Sequence, residues 1–149
     1  MNELLDEAVH LQQQLDRTET RLEELTKDDP FVQQLRGYHG VGLITAVTLR
    51  AELGTMSRFR SGKQLSRFCA LSPRNASSGM RQADAGVIQA GNRELRRVLI
   101  ETAHRLMRCD ARWAQLGMSL KARGKPGNVA AVANRWVRWL YHQLRPLAA

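Results

Sequence analysis

Residues 31–53 read FVQQLRGYHGVGLITAVTLRAEL, two apolar segments on either side of a turn with glycines at 37, 40 and 42. Glycine takes up positive φ at no steric cost. The stretch therefore predicts a short helix over 31–36, a tight turn over 37–42 and a second helix from Leu43 to Leu53, with Ile44, Val47 and Ala51 on one face. This pattern sets the expected class: all-α.

Working outward, Ser61 followed by Gln64 fits a capping box that opens a helix over about 62–69. Asn92 can cap a helix to about Arg108, with Leu95, Val98, Leu99, Thr102 and Leu106 turned to the core. Arg93, Arg97, His104 and Arg108 recur on its outer side at three- or four-residue spacing. A shorter helix covers 111–122. The last, about 128–145, buries Val129, Val132, Ala133, Trp136, Leu140 and Leu144 opposite Arg135, Arg138, His142 and Arg145. Residues 70–91 (ALSPRNASSGMRQADAGVIQAG) show no helical stripe and read as a long Gly/Ser loop holding a short hairpin at 80–88. Long loops inside a compact domain are usually functional or disordered.

Upstream, Met1, Ala8, Leu15 and Leu22 alternate with Leu4, Leu11, Thr18 and Leu25 as the a and d positions of a heptad repeat. Its apolar strip is narrow, so a partner helix is expected to cover it. Asp28-Asp29-Pro30 ends the segment, because proline disfavours a helical residue before it. Two domains are expected: a coiled-coil dimerisation helix over 1–29 and a compact helical domain over 30–149.

Charge divides the chain at the same place. Residues 1–30 carry three basic and nine acidic side chains, net −6, and residues 31–149 carry 20 basic and five acidic, net +15. Such an excess repels itself unless polyanions screen it, which points to nucleic acid. No apolar run approaches the ~18 residues of a membrane span. The opening MNELLDEAVH lacks a signal-peptide layout. Two cysteines, Cys69 and Cys109, provide neither a disulfide framework nor a zinc module. A cytoplasmic protein without membrane association is expected.

The 31–53 stretch looks like a helix-hairpin-helix element. Glycines at 40 and 42 would let the backbone approach a ligand, and the free N–H groups of the following helix suit a phosphate oxygen. Such contacts bind without regard to base sequence. An ordinary tight turn between packed helices is the alternative.

Further along stand Arg58-Phe59, Gln64-Leu65, Leu71 with Pro73, Ser78-Gly79, Gly91-Asn92 with Leu95-Arg96, and Arg123-Gly124-Lys125. Together with Gly40-Val41-Gly42, these resemble, in order and spacing, the C-terminal domain of the IS110-type transposases, the IS116/IS110/IS902 group. One motif would mean little; seven in order across about 35–140 are specific. Three positions depart from the family's pattern. Its Pro-Gly is His39-Gly40, its Gly before Leu71 is Ala70, and its Lys-x-Gly is Gln89-Ala90-Gly91.

The resemblance implies a DNA recombinase of two parts. A RuvC-like half bears four metal-binding acids, and the C-terminal half supplies a serine that attacks the DNA phosphodiester. A coiled coil joins them and aids homodimerisation, and a guide RNA is an implied partner. Carried over by position, the nucleophile is Ser78, with Ser77 as runner-up. Arg74 and Arg81 lie close enough in sequence to neutralise a phosphate, since a serine hydroxyl at its ordinary pKa needs help to react. Arg93, Arg96 and Arg97 are the expected DNA contacts on the helix after Asn92.

The chain begins at what resembles the linker coil, so the RuvC-like half is expected to lie outside it. No cofactor is then expected here, and Mg only with that half. The rival expectation is a catalytically inert DNA-binding and dimerising module, either a transposition repressor or a helix-hairpin-helix protein. Cys69 reads as a small buried residue. Trp113, Trp136 and Trp139 read as core or dimer interface.

Overall fold

At Asp29 the chain turns from an exposed rod into a packed body. The computed structural model describes residues 2–72, 92–124 and 128–148. Helix α1 (Asn2–Thr26) contains no buried residue, and helix α2 (Pro30–Arg36) buries Phe31, Val32 and Leu35. Between them, the Asp29 carboxylate accepts hydrogen bonds from the N–H groups of Phe31 (2.9 Å) and Val32 (3.2 Å), and Pro30 occupies the first helical position. Proline is tolerated there because its missing N–H would have had no partner. Arg50 donates to the other Asp29 oxygen at 2.8 Å and ties the junction to the body.

Helix α3 (Leu43–Leu53) follows the glycine turn, α4 (Gly62–Phe68) follows a 3-10 turn at Met56–Arg58, and α5 (Arg93–Cys109), α6 (Ala111–Ala122) and α7 (Asn128–Leu144) complete the body. A second 3-10 turn spans Arg145–Ala148. Among the described residues there is no strand, and the fold is all-α. Helix α7 is the centre: α4, α5 and α6 all pack on it. Trp136, Leu140 and Leu144 on α7 share a core with Leu95, Leu99 and Leu106 of α5, Leu65 of α4 and Leu49 and Leu53 of α3. Helices α4 and α7 approach closely at Gly62, where an added Cβ would lie 3.0 Å from the Arg138 carbonyl oxygen. Tyr141 donates its hydroxyl to the Phe59 carbonyl at 3.1 Å inside the core.

The face of α3 that carries Ile44, Val47 and Ala51 is not the one turned to the core. Ile44 is 49% exposed, and Thr45, Ala46, Leu49 and Leu53 are buried instead. The helix is apolar almost all round, so its pattern alone could not choose. The capping box at Ser61 is also shifted. Ser61 Oγ accepts from the Gln64 N–H at 3.2 Å, but Gln64 Oε1 reaches back to the Arg60 N–H at 2.7 Å, one residue beyond the cap.

Helix α4 ends in a Schellman motif. The Leu71 N–H bonds to the Ser66 carbonyl and the Ala70 N–H to the Arg67 carbonyl, each at 3.0 Å, with Ala70 at φ +55°. That left-handed conformation explains why the resemblance places glycine at this position. The hairpin expected at 80–88 lies outside the described residues.

Candidate nucleic-acid interface

The glycine turn holds two glycines with different duties. Gly40 has φ +76°, and a Cβ there would sit 3.3 Å from both Arg105 Cβ and the Leu106 nitrogen, so it lets the turn lie against α5. Arg105 fastens it: Nε donates to the Gly40 carbonyl at 2.9 Å, and Nη2 to Thr45 Oγ1 at 3.0 Å and Thr102 Oγ1 at 3.2 Å. Gly42, by contrast, is the N-cap of α3, in extended conformation, with nothing within 4 Å of a Cβ placed on it. No side chain caps this helix. The first-turn N–H groups of Leu43, Ile44 and Thr45 therefore have no partner within the helix. They border a cavity of about 520 Å³ lined by Gly40, Val41, Gly42, Leu43, Ile44, Thr45 and Arg105, with Glu19 of α1 at its rim.

The arginines expected on α5 differ among themselves. Asn92 caps the helix, its Oδ1 accepting from the N–H groups of Glu94 (3.0 Å) and Leu95 (3.1 Å). Arg93 is exposed. Arg97 is forked between Glu94 and Glu101, 3.0 Å from each. Arg96 is half-buried, and its Nε finds no hydrogen-bond partner among the described residues. Arg74, Ser77, Ser78 and Arg81 lie outside the described residues. The flanks of their segment are well held. Asn134 on α7 donates to Ser66 Oγ at 2.7 Å and to the Leu71 carbonyl at 3.0 Å, while the Asn92 side-chain amide donates to Glu52 of α3.

A second basic surface was not singled out from the sequence. Arg112, Trp113 and Leu116 of α6 face Arg135, Arg138, Trp139 and His142 of α7 across a groove of about 530 Å³. Arg112, Arg135, Arg138 and His142 are exposed and Trp139 is half-buried. The Arg112 guanidinium lies 5.0 Å from the Trp113 ring centroid and 5.8 Å from that of Trp139. Trp139 stands edge-on to Trp113 at 6.3 Å and to Tyr38 at 5.1 Å. The recurrence of Arg135, Arg138 and His142 on one face of the last helix was the available signal. That Arg112 joins them depends on how α6 packs on α7.

Other chemistry finds little footing. Burial pushes the Cys69 thiol up to about 12, so it stays protonated and unreactive near neutral pH. Among the described residues no three His, Cys, Asp or Glu side chains come together as a metal site. No helix among the described residues is long and apolar enough to cross a membrane.

Comparison with known proteins agrees with the motif order. Residues 32–117 match the family described as transposase IS116/IS110/IS902. A probable family 20 transposase of Pseudomonas aeruginosa is 33% identical over 138 residues, covering 89% of this chain and 40% of its relative. The transposase for insertion sequence element IS1111A of Coxiella burnetii is 30% identical over 140 residues, covering 91% of this chain and 38% of the other. The protein belongs to the IS116/IS110/IS902 family of transposases. It spans about 40% of the length of these relatives.

Proposed function

We propose that this chain is the DNA-binding C-terminal part of an IS110-type transposase, contributing Ser78 as the nucleophile for strand cleavage and transfer. The resemblance supports the chemistry, a transesterification. The Ser78 Oγ–P bond forms as one bridging P–O bond of the strand breaks, and the serine's proton ends on the departing strand oxygen. Arg74 and Arg81 would neutralise charge growing on the phosphate. The RuvC-like half contributes the family's metal-binding acids, helix α1 pairs two copies through its heptad seam, and a guide RNA directs the choice of target.

One observation carries the DNA-binding part: the uncapped N-terminus of α3 behind Gly42, where a side chain would meet nothing but an approaching ligand. A helix-hairpin-helix turn uses such N–H groups to hold a phosphate oxygen. Glu19 at the rim of the same cavity sets a carboxylate against that phosphate. Binding therefore draws on the exposed Arg93 of α5 as well.

The test has two readouts. Gly42→Val should weaken duplex binding severalfold while leaving the helices intact, because its Cβ has open space. Unchanged affinity would reduce the turn to a structural connection. Mixed with the RuvC-like half of a relative, the chain should form a covalent adduct with DNA that Ser78→Ala abolishes, seen by mass spectrometry after nuclease digestion. An adduct lost instead with Ser77→Ala would move the nucleophile by one residue. No adduct under any complementation would leave an inert DNA-binding module.

A further inference from the structure

We infer that the groove between α6 and α7 is a binding site for single-stranded nucleic acid, with Arg135 and Arg138 on neighbouring phosphates and an unpaired base against Arg112 and Trp139. The inference rests on the nucleic-acid reading above and adds a site, on other helices, for a different form of the polymer. Its volume of about 530 Å³ falls within the ~300–1,000 Å³ usual for ligand sites.

Charge selects the class of occupant. Three guanidinium groups and an imidazole line the groove, no carboxylate is among its lining residues, and none of the three arginines enters an ion pair among the described residues. Elsewhere Arg21, Arg36, Arg50 and Arg97 are each paired with Asp or Glu. Arg and Trp occur at protein interfaces too, but here the cations have no carboxylate among them to neutralise their charge. A polyanion satisfies them.

The aromatic floor selects the form. Duplex DNA keeps its bases stacked inside and offers phosphates to a basic surface, leaving a half-exposed indole idle. An unpaired base has a free π-face and stacks on tryptophan or on a guanidinium plane. Arg112 lies against both indoles, so this groove has both kinds of plane at its wall. Arg135 and Arg138, one turn apart on α7, share a helix face.

Fluorescence anisotropy on the full chain decides the matter, using labelled oligo-dT, oligo-rU and a duplex of equal length at several salt concentrations. The double variant Arg135→Gln/Arg138→Gln changes only exposed side chains. It should weaken single-strand binding at least tenfold and flatten the log–log salt slope by about 1.4, at ~0.7 for each phosphate no longer neutralised. Duplex affinity should change by less than threefold. Trp139→Leu should cost about tenfold on single strands; because Trp139 packs on Tyr38 and Trp113, Arg112→Gln is the companion variant that leaves the core untouched. Comparing oligo-dT with oligo-rU tells whether DNA or RNA is the natural occupant. An equal loss on duplex and single strands would overturn the unpaired-base site, leaving only a general basic surface. No loss on any probe, or a change in sedimenting mass instead, would give the groove to a protein contact. These outcomes are separate from Gly42→Val, so duplex binding through α3 can fail while this site stands.

Discussion

Helix α1 runs for 25 residues and buries none of them, whereas α7 runs for 17 and buries seven. Both are amphipathic, but α7 spends its apolar face on α4, α5 and α6 within its own chain. Leu4, Leu11, Leu15 and Leu25 of α1 stay 56–77% exposed. Most helical stability in proteins comes from packing an amphipathic face rather than from propensity. The difference shows that α7 takes its stability from the fold, whereas α1, which touches the body at α3, leaves its leucines to solvent; the second copy proposed above would cover them.

The largest effect expected is at Trp136, only 1% exposed at the meeting of α7 with the core. Trp136→Ala should cost about 3–5 kcal/mol in chemical denaturation. Removal of residues 1–28, by contrast, should leave the body's melting nearly unchanged while lowering the sedimenting mass from dimer to monomer. Equal oligomeric states with and without α1 would break the comparison, and a large loss of stability would show that the arm belongs to the body.

Asp29 sits at the border between the two regions and sharpens it. Burial works to raise its carboxyl, but the Arg50 hydrogen bond and charge and the N–H groups of Val32 and Phe31 outweigh burial and hold it below the usual carboxylate value of 3.8. Asp29→Ala should cost about 1 kcal/mol through loss of the cap. Asp29→Asn keeps a capping oxygen and loses only the charge, an effect of about 0.5 kcal/mol because the pair is partly solvated. A group with a depressed folded pKa stabilises above its unfolded value and loses that contribution as pH falls through the folded one. The gap between wild type and Asp29→Asn should therefore be constant near neutrality and close below pH 3.8. A gap that persists in acid would mean that the charge is not its source.

The smallest effect tests the body against itself. Ala70 lies at φ +55° and is 3% exposed. Ala70→Gly relieves about 1–2 kcal/mol of left-handed strain. It also gives up about 0.8 kcal/mol of buried methyl and adds about 0.4–1 kcal/mol of unfolded-state entropy. The net should fall within about 0.8 kcal/mol of zero by urea titration. A gain above about 1 kcal/mol would show the methyl to be poorly packed, and an equal loss would show the strain to be absorbed.

Much of the fold was legible in the sequence because its helices carry their own punctuation. Asp28-Asp29-Pro30 marks an end, and Ser61 and Asn92 mark starts, that the structure reproduces within a residue or two. The 3-10 turns at Met56–Arg58 and Arg145–Ala148 were not foreseen, since three or four residues hold no period to detect. Burial on α7 could be read from its stripe, apart from Val137 and Tyr141, which are buried but were not expected to be, and Val129, which is only partly buried. The core face of α3 could not, because alanine, leucine, isoleucine and valine surround it. The basic groove escaped for a tertiary reason: Arg112 and Arg138 are 26 positions apart in sequence, and only helix packing brings them to one groove. Several residues of the family pattern prove to hold the fold. Arg58 lies over Phe59 and Phe68, Leu65 and Leu71 are core, and Asn92 is a cap.

The fastening of Leu71 to Asn134 and of Asn92 to Glu52 has a consequence for how such a protein can be altered. Both posts are set in the helical body, and the sequence reads the chain between them as a loop. Closing a loop costs only about 0.6 kcal/mol more for each doubling of its length. About ten residues inserted after Ala83 should thus leave the melting of the body almost untouched. An epitope or fluorophore carried there would report on residues 73–91 from within an intact fold.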